Sequence, residues 1–255
     1  MKISIDTVAQ KLVYEDDGQE RDVSLYSADA FAVLSRLWVN VGWALRYPYG
    51  FTWMGRPIIQ LPEDLVRIHE TIYRVRPDVV IETGVAHGGS LVFYASLFRA
   101  LGRGRVIGVD VEIRPKNRAA IESHELSDLI TLIEGSSVDP AVVAKVQSHI
   151  RPEERVLVIL DSNHSKVHVA GELEAYSPFV SVDSYIVATD GIMADLHDVP
   201  RGMATWKDDN PQAAARDFAK SHTNFSLESP PFVFSEALTS QQVTHWPGAY
   251  LRRLR

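Results

Sequence analysis

The chain contains no cysteine among its 255 residues. Disulfides, thiolate zinc sites and a cysteine nucleophile are therefore excluded together. No apolar run approaches the roughly 18 residues that a membrane-spanning helix needs. The amino-terminal stretch MKISIDTVAQKL alternates polar and apolar residues and lacks the apolar core of a secretion signal. A soluble cytoplasmic protein is the expectation. Blocks of Lys and Arg are also missing, and 26 basic residues against 33 acidic ones give a formal charge of −7. That disfavours an extended surface for nucleic acid and leaves small molecules or other proteins as the expected partners.

Hydrophobic residues make up 45% and charged residues 23%, the composition of an ordinary globular protein. From Asp78 onward a rhythm appears. Runs rich in Val and Ile end in an acidic or small residue: Asp78–Thr83, Arg105–Asp110, Ile130–Gly135, Val156–Asp161 and Ser184–Asp190. Continuous apolar runs without alternation suit strands buried on both faces of a parallel sheet. Helices are expected between them at Leu91–Leu101, Pro115–Glu125, Pro140–Ile150 and Val167–Phe179, with Pro62–Arg76 ahead and Pro211–Ser221 behind. Pro115 and Pro140 sit where a first helical turn tolerates proline. Phe232–Ser235 and Tyr250–Leu254 read as closing strands at a sheet edge. The pattern predicts an α/β fold, a Rossmann-like, doubly wound and mostly parallel sheet of about seven strands.

Residues 1–60 break the rhythm and predict a helical and aromatic extension, a lid or an oligomer interface, ahead of a main domain over 61–255. Within it, Ala28–Tyr47 places Phe31, Leu34, Leu37, Val41 and Leu45 at helical spacing. Trp43, Tyr47, Tyr49, Phe51 and Trp53 follow as an aromatic cluster. A capping helix packed on the main domain, a substrate lid and a homo-oligomer interface are the readings.

The first core strand runs into Glu82-Thr83-Gly84-Val85-Ala86-His87-Gly88-Gly89-Ser90 and then a helix. Glycines permit a tight turn and close approach to a ligand, and a helix amino terminus favours an anionic group. Asp110, at the end of the second strand, is placed to accept hydrogen bonds from ribose hydroxyls. Together these predict a nucleoside-containing ligand. The turn reads G-x-x-x-G-G rather than G-x-G-x-x-G, which disfavours a nicotinamide dinucleotide. Glu82 ahead of the first glycine suits a cation such as the sulfonium and ammonium of S-adenosylmethionine. Ser136, after the third strand, is expected beside the adenine.

The stretches ETGVAHGGSL, VILDSNH, ATDGIM and TWMGRPIIQLPEDL resemble the cephalosporin hydroxylase and rhamnosyl O-methyltransferase family over about residues 35–200. The resemblance implies a class I S-adenosylmethionine-dependent methyltransferase. Its substrate would be a hydroxyl of a sugar or antibiotic scaffold, and a divalent cation would usually assist.

An alcohol holds its proton too tightly to be a nucleophile near neutral pH, so a general base, a metal or both are required. Asp161-Ser162-Asn163-His164 ends the fourth strand, and Thr189-Asp190 ends the fifth. Adjacent strand ends are expected to bring Asp161 and Asp190 to one rim, a donor set suited to Mg²⁺. His164 is then the natural proton acceptor, an arrangement that related sugar methyltransferases share. Metal-binding relatives often carry Glu-Asp where this chain has Thr189-Asp190, so a third carboxylate is missing, with Asp195 or Asp198 as substitutes. His168 and His197 reach the same rim without a spacing that selects them. The leading expectation is methylation of a rhamnose-like deoxysugar of a natural product or glycan. The alternatives are a cephem-scaffold methoxylation enzyme and a non-catalytic nucleoside-binding protein of the same fold.

Overall fold

The computed structural model describes residues 2–16, 18–234 and 236–255. Its amino-terminal segment corrects the expectation of a helical extension. The alternation in MKISIDTVAQKL is that of strands, and β1 (Ile3–Asp6), β2 (Lys11–Asp16) and β3 (Gln19–Ser24) form an antiparallel three-stranded sheet. Leu12 and Tyr14 point to one side of β2 and are buried with Ala30. The helix that follows, α1 (Ala28–Ala44), starts where Ser27 caps it by accepting from the Ala30 N–H. Its packed face differs from the stripe read in the sequence. Ala30, Ser35 and Val39 are buried, whereas Phe31, Leu37, Trp38 and Val41 face outward. A short hairpin of β4 (Phe51–Trp53) and β5 (Arg56–Ile58) completes the segment.

α2 (Pro62–Val75) leads into the core strands β6 (Val79–Thr83), β7 (Arg105–Asp110), β8 (Ile130–Glu134), β9 (Val156–Leu160) and β10 (Tyr185–Ala188). Alternate residues of each run point to opposite faces. Val80, Val106 and Leu157 pack with α2 and with α3 (Gly89–Leu101), while Ile81, Ile107 and Val158 pack on the other side with α6 (Lys166–Tyr176) and α7 (Pro211–Ser221). Coverage on both faces explains why these strands carry no polar alternation. α4 (Pro115–Glu122) and α5 (Pro140–Ser148) complete the crossovers.

β11 (Phe225–Glu228) and β12 (Tyr250–Arg253) close the sheet. The strand order is β11-β12-β10-β9-β6-β7-β8, with β12 antiparallel to both neighbours. The expected strand at Phe232–Ser235 is not one over its described residues, and Ser235 lies outside them. Pro230 and Pro231 remove two backbone donors just ahead of it. The Phe232 ring instead lies 4.1 Å beneath the Arg67 guanidinium, and Phe225–Glu228 takes the ladder position. Among the described residues, no helix is long and apolar enough to cross a membrane.

Candidate active site

The strand order reverses between β6 and β9, and open α/β sheets bind ligands in the crevice beyond such a point. Gly84 turns the chain away from β6 with φ +93°, and a Cβ there would lie 1.9 Å from the Asp161 carbonyl oxygen. Its absence lets the two strand ends close up, and the Asp161 N–H donates to the Thr83 carbonyl at 2.9 Å. Asp110 shapes the same loop: its Oδ2 accepts from the N–H groups of Val85 at 2.7 Å and Ala86 at 3.2 Å. From outside, the Arg56 guanidinium of β5 donates to the His87 carbonyl, and Asn117 of α4 donates to the Ala86 carbonyl. The Pro57 backbone lies so close to Gly89 that a Cβ would come within 2.1 Å of its oxygen.

Of the cavities that border this loop, two also meet Asp161. The larger, about 360 Å³, is lined by Gly84, Asp110, Val111, Ser136, Asp161 and His168, among others. The smaller, about 50 Å³, lies at the amino terminus of α3 against Gly89, Ser90 and Gln60. Gly84, Ala86 and Asp161 border both. Of the residues expected to touch a nucleoside, Gly84, Val85, Ala86, Gly89, Ser90, Asp110, Ser136 and Asp161 lie on these walls. Glu82, Thr83 and Gly88 do not.

Glu82, expected to face a cofactor cation, lines neither cavity. It is fully buried beneath the loop, where its carboxylate accepts from Ser90 Oγ at 2.5 Å and from the Tyr94 phenol at 3.1 Å. Burial, reinforced by Asp161, pushes its carboxyl well above the ordinary range. It supports the α3 terminus from beneath, through Ser90 and Tyr94. Thr83 is likewise buried in the strand, and Gly88 is packed against Ile121.

Beyond the fourth and fifth core strands the expected acidic rim is formed. Asp161, His164 and Asp190 each place one ligand atom within 4.8 Å of the others. His164 Nε2 lies 3.5 Å from Asp190 Oδ2. Burial pushes the Asp190 carboxyl up to about 6, with His164 opposing the rise and Asp161 adding to it. Among the described residues, neither Asp195 nor Asp198 joins the group. In place of a third carboxylate, the buried Thr189 hydroxyl contacts Asp161 Oδ1 at 2.7 Å and the Leu160 carbonyl at 2.9 Å.

His168 reaches the rim as expected, and Glu172 beside it escaped the sequence reading. Ser162 Oγ donates to Glu172 Oε1 at 2.7 Å, and His168 Nε2 lies 3.2 Å from both Ser137 Oγ and Ser162 Oγ. Glu172 is completely buried. His168 and Glu172 are four apart on α6, a spacing that puts them on one helix face and carried the signal. His197 turns away, with Nδ1 on the Ala194 carbonyl.

The fold and the crevice define a class: a doubly wound α/β protein with an acid-and-histidine rim beside a cavity at its topological switch point. The profile described as Rhamnosyl O-methyltransferase/CmcI matches residues 45–254. The chain belongs to that family. A rhamnosyl O-methyltransferase of Mycobacterium bovis (strain BCG / Pasteur 1173P2) is 30% identical over 142 residues, covering 54% of this chain and 56% of that protein. The chain thus matches little more than half the length of this curated relative. The Mg-SAM form of CmcI superposes with a TM-score of 0.51 at 20% identity, over 81% of this chain and 78% of that one. The MycE methyltransferase from the mycinamycin biosynthetic pathway, in complex with Mg, SAH and mycinamycin VI, gives 0.52 at 18% identity over 95% and 68%. At these identities the structures establish the shared fold.

Proposed function

We propose that this protein is an S-adenosylmethionine-dependent O-methyltransferase acting on a hydroxyl of a rhamnose-like deoxysugar in a natural product or glycan. The observation that carries the reading is the convergence of Asp161, His164 and Asp190 beside a nucleoside-sized cavity. The rhamnosyl O-methyltransferase relative supports the sugar acceptor, and the ligands of CmcI and MycE support the cofactor and the metal.

The residues fit both groups. Asp110, Ser136 and the glycine loop offer a wall for a nucleoside, and the small cavity at the α3 terminus continues it. The two carboxylates make a donor set for a divalent cation, with His164 beside them free to act as a base, and clustered negative charge is stabilised by such an ion. Asp161 and Asp190 would hold the ion, which when bound acidifies and orients an acceptor hydroxyl. S-adenosylmethionine, when bound, would supply the methyl group, with the electron pair of the broken S–C bond left on sulfur. His164 takes the proton that the acceptor oxygen loses on methylation, and Asp190, 3.5 Å away, stabilises the imidazolium that results. Asp161, on the cavity wall and in the acidic rim at once, would bring nucleoside and acceptor together, and that proximity supplies much of the acceleration.

Incubation with methyl-labelled cofactor, Mg²⁺ or Mn²⁺ and rhamnosylated acceptors tests this. The expected product carries the label on a sugar oxygen. Cofactor binding without transfer to any sugar, with either metal, would reject the activity.

The outward face of α1 supports a second part of the proposal, that residues 1–60 pair one copy of the chain with another. Phe31, Leu37, Trp38, Val41 and Leu45 form an apolar stripe, with Leu45 76% exposed, and such patches on soluble proteins mark contact surfaces. Light scattering showing only a 28.5 kDa species would refute it.

A further inference from the structure

The large sheet has a second end, away from the crevice. There, beside the last turn of α2 and the first residue of β10, lies a cavity of about 520 Å³. Arg74 of α2, Arg155 just ahead of β9 and Arg252 of β12 line it, together with Asp183, Tyr185 and Glu228. The acidic rim uses none of them.

These charges do not close among themselves. Arg252 holds both carboxylates: its Nη1 reaches Asp183 Oδ1 at 3.1 Å and its Nε reaches Glu228 Oε2 at 3.2 Å. Glu228 Oε1 accepts from the Tyr185 phenol at 2.6 Å, so both of its oxygens are engaged. Arg252 is the one of the three arginines that forms salt bridges among the described residues. Arg74 donates from Nη2 to the Tyr185 oxygen at 2.7 Å, and Arg155 donates from Nη2 to the Val182 carbonyl at 3.1 Å. Tyr185 is only 3% exposed, so its phenol is a fixed anchor for Arg74.

A guanidinium carries five N–H donors in a planar fork, and one anchoring bond leaves most of them unspent. Arg74 and Arg155 are thus held at one concave wall with donors to give and no carboxylate to receive them. Three such forks against two carboxylates favour an added anion. A carboxylate would offer two oxygens in one plane. A phosphoryl group offers three that point apart, and its charge answers both unpaired arginines.

We infer that this cavity binds the phosphoryl group of a small phosphorylated molecule, held by Arg74, Arg155 and Arg252. The inference is independent of the methyl-transfer reading. The length of β9 (Val156–Leu160) separates the site from the acidic rim, roughly 17 Å of strand.

Calorimetry at constant ionic strength, with inorganic phosphate and with malonate as probes, tests it. Saturable binding of phosphate, tighter than that of malonate, is expected. Arg74→Gln and Arg155→Gln are each expected to weaken phosphate about tenfold or more. Asp183→Asn removes a carboxylate that competes for Arg252, and asparagine tolerates the φ of +60° at that position. It is expected to tighten phosphate about threefold, a gain that a damaged fold cannot imitate. No saturable phosphate binding by the wild-type protein would overturn the inference. Undiminished affinity in both arginine variants would do the same by placing the anion elsewhere, as would an Asp183→Asn variant that binds no more tightly. Malonate bound as well as phosphate would reject the phosphoryl assignment.

Discussion

The Thr189 hydroxyl lies 2.7 Å from Asp161 Oδ1 and 2.9 Å from the Leu160 carbonyl, so one proton serves two acceptors at the end of β9. The carboxylate expected of a metal ligand here is replaced by a donor that fixes its neighbour. Thr189→Val keeps the shape and removes the donor. It is expected to cost about 1–3 kcal/mol of stability, because Asp161 Oδ1 and the Leu160 carbonyl both lose the hydroxyl donor buried between them. Urea denaturation of the two proteins measures the difference, and an unchanged midpoint would contradict the role.

His164 is assigned proton transfer and lies on the walls of neither cavity. His164→Gln is therefore expected to lower turnover by about 10²–10⁴-fold while leaving the affinity for S-adenosylhomocysteine within about twofold. Parallel kinetics and calorimetry separate the two effects.

Gly84 and Gly102 both have positive φ, at +93° and +72°, but a Cβ at Gly102 meets nothing within 4 Å. Gly102→Ala should cost only the left-handed strain, about 1 kcal/mol. Gly84→Ala also drives a methyl into the Asp161 carbonyl and should cost about 3 kcal/mol or more, with loss of nucleoside binding. Thermal unfolding of the pair makes the comparison.

Asp64 and His245 meet behind the acidic rim, where the His245 backbone N–H donates to Asp64 Oδ2 at 2.9 Å. Burial raises the Asp64 carboxyl from 3.8 to about 7 and lowers the His245 imidazole from 6.5 to about 4. The signs oppose each other. Asp64 binds its proton more tightly in the fold, so its contribution is full below pH 3.8 and is lost as pH rises to about 7. His245 binds its proton more weakly in the fold, so its contribution is full above pH 6.5 and is lost as pH falls to about 4. Between those limits the two nearly cancel. Relative to wild type, His245→Phe should lose stability as pH rises from 4 to 6.5, and Asp64→Asn should gain it, each by at most about 3 kcal/mol. Asp190 titrates in the same direction as Asp64 in every variant and drops out of the comparison. Denaturation at stepped pH reads both slopes.

The core was legible because strands covered on both faces leave a one-dimensional signature. Arg105–Asp110 and Pro211–Ser221 end where the sequence places them. The meeting of Asp161, His164 and Asp190 was legible too, since parallel strand ends share a rim. What lay hidden depends on contacts between distant segments. The position of Glu82 ahead of a glycine does not say which side of the loop its carboxyl faces. Ser90 and Tyr94 on α3 decide that. The stripe on α1 gave the helix but not its buried side, which Leu12 and Tyr14 of β2 help to choose. Gln60 belongs to no periodic pattern, and only the close pass of Pro57 over Gly89 brings it in.

The hairpin that holds the glycine loop through Arg56 and His87 has a consequence for how this fold is divided. The loop's own glycines make its path permissible, but its shape is held by braces from β5 on one side and α4 on the other. A shortened protein beginning at α2 would keep every strand of the large sheet and lose one of those braces. Ligand affinity, more than overall fold, would register the loss, which makes the upstream hairpin a working component of the crevice and not an accessory to it.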